Sequence, residues 1–407
     1  MKQSKFYLKL SGILIATAII ITITFNWFMN PYGIYHSPEI DGINKRKPLF
    51  AGQLRLAKAW TIYKRKPDAI ILGSSRSECG LDPNHPGWKD AQDVYNLAIS
   101  GGNMYEALRY FQHAHALKPQ KKVVLGLDFR MFNAFEKGGT GGFKDSRLVA
   151  KADGSANPQF SISEKFIMLA SMDVLLDSIK TFKKQDRDLR YLPNGQVSWK
   201  VNAKQNNKLG GHHKAFRFTE KKNMNQIWFQ RPHQYEFIHP NTGQSSFDDL
   251  RTLLDTAYRD NIDLRMLVSP SHARLWEALH AVGLWSKFEQ WKRELVTINE
   301  QHAKKYGKQP FPLWDFSGYN HYTTETVTAK MKWYWESSHY KQELGNIVLN
   351  SVFEAKIADD FGVLINTKNI DKHLADIRIK QQQYRKYHPI DVAEVLKLAE
   401  ETASQRQ

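Results

Sequence analysis

The chain has 407 residues, enough for one large domain with appendages or for two domains. Hydrophobic residues make up 42% and aromatic residues 12%, which excludes an intrinsically disordered protein. The formal net charge of +17 favours an anionic partner such as nucleic acid, acidic lipid or acidic polysaccharide, and does not choose among them.

The N-terminus has the pattern of a membrane-spanning helix. No charged residue occurs between Leu10 and Pro38, and residues 13–21 are continuously apolar apart from one threonine. Three lysines precede this run and the first charges after it are acidic, so the positive-inside rule predicts a cytoplasmic N-terminus. We therefore predict a single-pass signal anchor over residues 1–35 in the cell (inner) membrane, with the main domain in the periplasm or otherwise outside the cytoplasm.

Two other interpretations of this segment are a cleaved signal peptide and a buried core helix. No A-x-A cleavage site follows the apolar run at the right distance, which disfavours the signal peptide. Export argues against nucleic acid as a partner and leaves polymers of the cell envelope. Cys79 is the only cysteine, so an internal disulfide is excluded.

Beyond the anchor, residues 36–65 predict a tether that ends in a helix, and strands and helices then alternate. Strands are predicted at 68–73, 93–99 and 121–128, with a helix over Met104–Leu117 between the second and the third. This alternation is typical of a parallel sheet that is covered by helices on both faces.

Residues 134–240 interrupt the alternation. They contain a predicted helix at 161–183 and a basic run, Lys183–Lys222. This run is either a solvated face or a clamp for an acidic polymer or for lipid head groups, and the insertion could form a cap near the site. The alternation then resumes, which predicts one domain over 66–360 with an inserted basic subdomain, followed by a helical C-terminal tail over 361–407. The resumed elements are a helix at 246–259, a strand at 263–268, a helical stretch at 273–306, a strand at 311–316 and a helix at 340–353.

Two short segments contain the residue types of a serine nucleophile and its base. Ser75 directly follows the first predicted strand, and Glu336 lies three residues before His339. A serine needs a base to become nucleophilic, and a histidine base needs a carboxylate to hold its tautomer. The alternatives are that Ser75 caps a helix and that His339 is a structural partner of Glu336.

These segments resemble the SGNH/GDSL hydrolase superfamily. Segment 73–76, Gly-Ser-Ser-Arg, is similar to its first block with Ser75 as the nucleophile, and segment 96–101 is similar to the second, which assigns Gly101 to the oxyanion hole. Glu336-x-x-His339 is similar to the last block. The resemblance covers about 66–133 and 245–356, and it implies a three-layer α/β/α domain with a mostly parallel sheet.

The third block of that family departs in this chain. The family has Gly-x-Asn, whereas residues 126–128 read Gly-Leu-Asp, and an ionised Asp128 cannot donate a hydrogen bond to an oxyanion. The hole therefore has either backbone donors alone or a third donor from a nearby side chain, for which the candidates are Asn103, Arg76 and Arg130.

The remaining histidines suggest no metal. His272 follows the fourth predicted strand, and it either contacts a ligand or packs at a helix start. The histidines at 212, 213, 233 and 239 have spacings that match no strong ligand pattern. We predict neither a metal nor a cofactor.

Taken with the anchor, the resemblance implies an exported O-acyltransferase or esterase that uses Ser75, His339 and Glu336 on an acidic or neutral envelope polysaccharide. The chain is similar to periplasmic alginate O-acetylation proteins and to the membrane protein of teichoic acid D-alanylation, which implies a membrane-bound partner that supplies the acyl group. A non-catalytic glycan-binding or scaffold component of a polysaccharide assembly complex is the alternative. A cytosolic nucleic-acid binder is a third interpretation.

Overall fold

The fold was analysed in a computed structural model, which describes residues 2–136, 138–139, 141–160, 162–225, 235–354 and 361–404. A single sheet organises this part of the chain, and its six strands are β1 (Ala69–Leu72), β2 (Val94–Asn96), β3 (Lys122–Leu127), β4 (Asp263–Val268), β5 (Leu313–Asp315) and β6 (Val363–Leu364). The strand order is β2-β1-β3-β4-β5-β6, and every neighbouring pair is parallel except β5 with β6.

Helices surround the sheet, and each α-helix of the described residues is named here in chain order. They are α1 (Lys2–Met29), α2 (Leu54–Arg65), α3 (Ser75–Gly80), α4 (Met104–Leu117), α5 (Ile162–Leu169), α6 (Met172–Lys183), α7 (Trp199–Leu209), α8 (His212–Asn223), α9 (Asp248–Arg259), α10 (Ala273–Ala281), α11 (Trp285–Lys305), α12 (Gln342–Val352), α13 (Ile370–Tyr387) and α14 (Pro389–Ser404).

Alternate residues of the strands bury opposite faces of the sheet. Ile70 and Leu125 join one apolar cluster that includes side chains of α2, α4, α9 and α11. Ile71 and Val124 join a second cluster that includes α12. A parallel sheet buried on both faces needs this continuous run of apolar residues, which explains why β1 and β3 show no polar alternation.

The sheet order also fixes where a site is expected. The chain leaves β1, forms β2 on one side of it, and then returns to form β3 on the other side. In open α/β sheets, ligands bind at the carboxyl ends of the strands where the order reverses, because the connections diverge there and leave a crevice. Ser75 begins α3 only three residues after β1 ends, so it lies beside this crevice.

The N-terminal helix stands apart from the sheet. Among the described residues, the segment Gln3–Met29 is long and apolar enough to cross a membrane, with a mean hydropathy of 2.1 in its most apolar window. Such a helix is compatible with a membrane anchor and with a signal sequence. The prediction of an N-terminal apolar helix joined to a mixed α/β chain with a mostly parallel sheet is thus confirmed.

Three details differ from the sequence-based elements. The predicted helix at 161–183 is two helices, and the helical stretch at 273–306 breaks at Gly283, whose φ of +78° ends α10. The tail predicted as helical also contains Val363–Leu364, which pairs antiparallel with β5. Two exposed residues give no periodicity, so their pairing could not be read from the sequence.

The helices between β3 and β4 are tied to the rest of the chain by ion pairs. The fully buried guanidinium of Arg274, on α10, contacts Glu220 of α8 and both Asp391 and Glu394 of α14. The carboxylates raise the pKa of Arg274 against the opposing effect of burial. α8 is therefore held by ion pairs to α10, the helix that follows β4, and Arg274 links both to the C-terminal helix α14.

Candidate active site

A sharp turn between β1 and α3 presents Ser75. Gly73 has a φ of +137°, and a side chain there would overlap the Ser77 hydroxyl and the carbonyl oxygen of Gly126. Ser74 then caps α3, since its hydroxyl accepts from the Arg76 amide at 3.3 Å. Ser75 is the first residue of the helix, so its amide is among those that have no partner within the helix.

Glu336 and His339 lie in a closed turn. The Trp335 amide donates to the carbonyl oxygen of His339 at 2.9 Å, and Tyr334 and Tyr340 form an antiparallel bridge across its base. The Ser338 amide also donates to Glu336 Oε2 at 2.8 Å. The turn therefore holds the carboxylate and the imidazole side by side.

The three predicted catalytic residues meet. His339 Nε2 lies 2.7 Å from Ser75 Oγ, and His339 Nδ1 hydrogen-bonds Glu336 Oε1. Because Glu336 accepts at Nδ1, the ring is protonated there and Nε2 is free to accept the serine proton. This is the connectivity of a Ser-His-acid triad.

The environment of Glu336 keeps it ionised. Burial raises the pKa of this carboxyl, but the charge and hydrogen bond of His339 together with the Ser338 amide and the Thr219 hydroxyl outweigh it. The pKa is thus held below its ordinary value. An ionised carboxylate can both orient the ring and stabilise a charged imidazolium.

A cavity of about 390 Å³ opens over Ser75. Gly101, with a φ of +70°, lies on its wall together with Arg130. Arg130 Nη1 is 4.0 Å from the position that a side chain on Gly101 would occupy, so the guanidinium borders the predicted oxyanion glycine. The structure thus brings Ser75, Gly101 and Arg130 to one cavity.

Asp128 is turned away from that cavity. The Ser74 hydroxyl donates to Asp128 Oδ2, and Arg76 Nη1 contacts Oδ1 at 3.1 Å. Arg76 Nε also donates to the carbonyl oxygen of Ser338 at 3.2 Å. Position 128 is therefore an internal anchor that acts through Arg76 to link the ends of β1 and β3 to the histidine turn.

Two further sequence candidates are engaged elsewhere. Asn103 caps α4 by accepting from the Glu106 amide, and its amide group donates to the carbonyl oxygens of Glu136 and Gly138. His272 caps α10, is 1% exposed, and has a pKa lowered to about 3, chiefly by burial. Neither side chain borders the cavity over Ser75, although the His272 amide donates to Ser337 in the histidine turn.

The segment between β3 and β4 supplies cavity residues that sequence reasoning did not single out. Four of them are Arg190, Asn202, Lys222 and Asn223, and the side-chain nitrogen of Asn223 is buried with no hydrogen-bond partner among the residues that the structure describes. The basic composition of Lys183–Lys222 was the only signal in the sequence, because nothing local shows which of its side chains turn toward the site. Together with Arg76 and Arg130, these residues make the cavity cationic and rich in amides.

The cavity offers neither a reactive thiol nor a metal cluster. Cys79 borders it, but burial raises the pKa of the thiol to about 12, which keeps it protonated. Among the described residues, no group of three or more His, Cys, Asp and Glu side chains could hold a metal ion. His233 lies outside the described residues.

Comparison with known proteins assigns no family. No protein-family model matches the chain, and a search of the curated proteins finds no match.

Proposed function

We propose that the chain is a membrane-anchored serine O-acyltransferase or esterase of the SGNH type that acts on a polysaccharide of the cell envelope. The observation that carries the proposal is the continuous hydrogen-bonded path from Ser75 Oγ through the His339 ring to the ionised Glu336. In this proposal the helices α5–α8, within residues 134–240, form an inserted subdomain, and side chains of its helices α7 and α8 line the cavity over Ser75.

The chemistry would proceed through an acyl-enzyme. Ser75 Oγ attacks the acyl carbonyl carbon while His339 Nε2 takes its proton, and the carbonyl oxygen becomes an oxyanion. When the intermediate collapses, the bond to the leaving oxygen breaks and His339 returns the proton to that oxygen. A sugar hydroxyl or water then repeats these steps in reverse on acyl-Ser75, which gives transfer or hydrolysis respectively.

Charge stabilisation would come from the amides of Ser75 and Gly101 with Arg130 as the third donor. Asp128 is tied to Ser74 and Arg76, and Asn103 to backbone carbonyls, so neither is available for this role. A guanidinium can donate to an oxyanion and also balances its charge. Arg130 thus takes the place of the family's asparagine in this proposal.

In this proposal the charges of the cavity lining indicate the substrate, and the apolar helix α1 indicates the location. Both acids of the cavity lining, Glu78 and Glu336, are paired internally, as are Arg76 with Asp128 and Arg130 with Glu136. Arg190 and Lys222 are the remaining cations of the lining, and in this proposal they favour an acidic glycan over a neutral one. With α1 as an anchor, the rest of the chain would face the envelope, and a membrane-bound partner protein would supply the acyl group.

The test is covalent labelling of the full-length protein in detergent. We expect a fluorophosphonate probe to label the wild type and Ser75→Ala to abolish both labelling and aryl acetate hydrolysis. Ser155→Ala, at an exposed loop position, serves as the control and should retain both signals. Failure of the correctly folded wild type to react with either reagent would overturn the proposal and favour a glycan-binding or scaffold component.

A further inference from the structure

The helices α5 and α6 expose an apolar surface that faces away from the domain. Phe166 and Ile167 on α5 are 62% and 70% exposed, and Met172 and Leu176 on α6 are 64% and 52% exposed. A soluble protein rarely exposes so many large apolar side chains together, because each loses the free energy of burial. The exposed surface of this pair, the α5–α6 hairpin (residues 162–183), therefore calls for an apolar environment.

The hairpin is fixed to the end of α1. The Asn26 side chain donates to the carbonyl oxygen of Leu169 at 2.8 Å and accepts from the Ser178 hydroxyl at 2.9 Å, so both helices are attached to it. Asn26 is fully buried. A polar group at the end of a membrane helix needs such partners, since lipid tails offer none.

The chain that follows α1 adds two more contacts. The Tyr32 hydroxyl donates to Asp177 on α6 at 2.6 Å, and the Tyr35 hydroxyl donates to the carbonyl oxygen of Lys165 on α5 at 2.7 Å. Both rings are buried in a cluster with Leu169. The hairpin therefore cannot move independently of the emerging membrane helix.

The two long faces of α6 differ in what they contact. Val174, Ser178 and Thr181 are buried, whereas Met172, Leu176 and Ile179 are exposed. Each set follows the spacing i, i+4, i+7, so the two sets lie on opposite sides of the helix. One side is held by the domain, and the other is an apolar stripe without a partner among the described residues.

The position of the hairpin along α1 matches the membrane surface. The uncharged part of α1 runs from Leu10 to Met29, which at a rise of about 1.5 Å per residue spans about 30 Å, the thickness of a hydrocarbon core. Ile23, Asn26 and Met29 are packed against the domain or buried at the last two turns of this span. The hairpin therefore lies within about 10 Å of the outer edge of the hydrocarbon core, the depth at which amphipathic helices insert.

Charges border the apolar stripe as interfacial insertion requires. Lys180 and Lys183 are exposed on α6, and the long stems of such lysines cover apolar surface while their ammonium groups meet lipid phosphates. Of the two acidic residues of α6, Asp177 is bound by Tyr32 and Lys180, and Asp173 is exposed in the first turn, at the opposite end of the helix from Lys183.

We propose that the α5–α6 hairpin inserts its apolar stripe into the outer leaflet beside α1 and thereby holds the domain against the membrane surface. In this proposal lipid contacts the apolar stripe, and this membrane contact does not depend on whether Ser75 is catalytic. With Asn26 of α1, and Tyr32 and Tyr35 directly after it, bonded to the hairpin, the domain would be held at a fixed height and orientation over the membrane.

The test uses the full chain, with Cys79→Ala as background, reconstituted in vesicles of phosphatidylethanolamine and phosphatidylglycerol. A nitrobenzoxadiazole label is placed at Ile167→Cys or Leu176→Cys, and its quenching by spin-labelled lipid is measured. Ile390→Cys on α14, at a site 83% exposed, is the matched control far along the chain, and Ile15→Cys on α1 is the control for membrane insertion. We expect strong quenching at 15, 167 and 176 and none at 390.

The outcomes separate the possible sources of failure. Labels at 167 and 176 that behave like the one at 390 while 15 is quenched would overturn the inserted hairpin and leave the anchor intact. If the labels at 167 and 176 are shielded from aqueous quenchers but not quenched by lipid, the stripe contacts a second copy of the chain and not lipid. This result would also overturn the proposal. A label at 15 that is not quenched would overturn the anchor and the hairpin together, whereas the fluorophosphonate result would be unaffected.

Discussion

Two of the histidine–carboxylate pairs in the described part of the chain have sharply different surroundings. In one, His339 Nδ1 bonds Glu336 while Nε2 reaches Ser75 at the edge of a cavity. In the other, His373 Nε2 lies 2.9 Å from Asp315 Oδ2, and the same carboxylate contacts Lys292 Nζ at 2.7 Å.

The third member decides the role of each pair. Lys292 and Asp315 have fully buried side chains, and Lys292 Nζ also donates to the Ser317 hydroxyl at 2.6 Å, so this cluster balances charge in the interior. In the His339–Glu336 pair, the ring nitrogen Nε2 lies beside the Ser75 hydroxyl, which solvent and ligands can reach. A histidine–carboxylate contact is therefore a sign of catalysis only when the free ring nitrogen faces a nucleophile.

The largest expected effect separates the two histidines. We expect His339→Ala to lower fluorophosphonate labelling and aryl acetate hydrolysis by on the order of 10⁴-fold, because Ser75 loses its base, while the melting temperature hardly changes. His373→Ala should instead lower the melting temperature and leave the activity of folded protein intact. Equal losses of activity in the two variants would erase the distinction between the pairs.

A second expectation concerns the stability that Asp315 provides. Asp315→Asn leaves the buried Lys292 ammonium without its counter-charge, so we expect the free energy of unfolding to fall by about 3–5 kcal/mol. The control is Asp263→Asn at the opposite end of the neighbouring strand, whose side chain is 37% exposed and whose loss should cost less than about 1 kcal/mol. Chemical unfolding in detergent measures both, and similar losses would contradict a role specific to the interior.

A third, smaller effect tests the proposed oxyanion donor. Arg130→Met should slow aryl acetate hydrolysis by about 100- to 1,000-fold through the rate of acylation, as expected for removal of one donor. Arg259→Met, at an exposed position on α9, is the control and should leave the rate unchanged. A normal rate in the Arg130 variant would restrict the hole to the two backbone amides.

The smallest expected effect is a difference in acid sensitivity. Glu336 has a folded-state pKa below its ordinary value, so the stability it adds is present above the unfolded-state pKa of about 4 and is lost as the pH falls through the folded-state pKa. Glu336→Gln should therefore show a shallower loss of unfolding free energy than the wild type on acidification below about pH 4. The exposed Glu343→Gln is the control, and identical slopes for all three proteins would show that Glu336 is not stabilised by its partners.

The strands β1, β3 and β4 could be predicted closely because each contains a run of apolar residues next to a turn signal, whereas the two exposed residues of β6 gave no such pattern. The predicted strand 263–268 coincides with β4, and the predicted helix 104–117 coincides with α4. The sites that depend on side-chain direction were harder. Asn103, His272 and Asp128 were placed at the correct edge of the sheet. Their side chains, however, bond to backbone carbonyl groups or to Arg76 and do not line the cavity.

By itself, the sequence determined the apolar N-terminal helix, the mostly parallel sheet and the local pair Glu336–His339. The helix and the pair depend on residues a few positions apart, whose relative placement is set by helix or turn geometry, and the parallel sheet was indicated by the alternation of strands and helices along the chain. The tertiary structure alone decided that Ser75 meets His339, that Lys292 and His373 share Asp315, and that α5 and α6 attach to the end of α1. These contacts join residues far apart in the chain, and only the order of the strands and the packing of the helices bring them together.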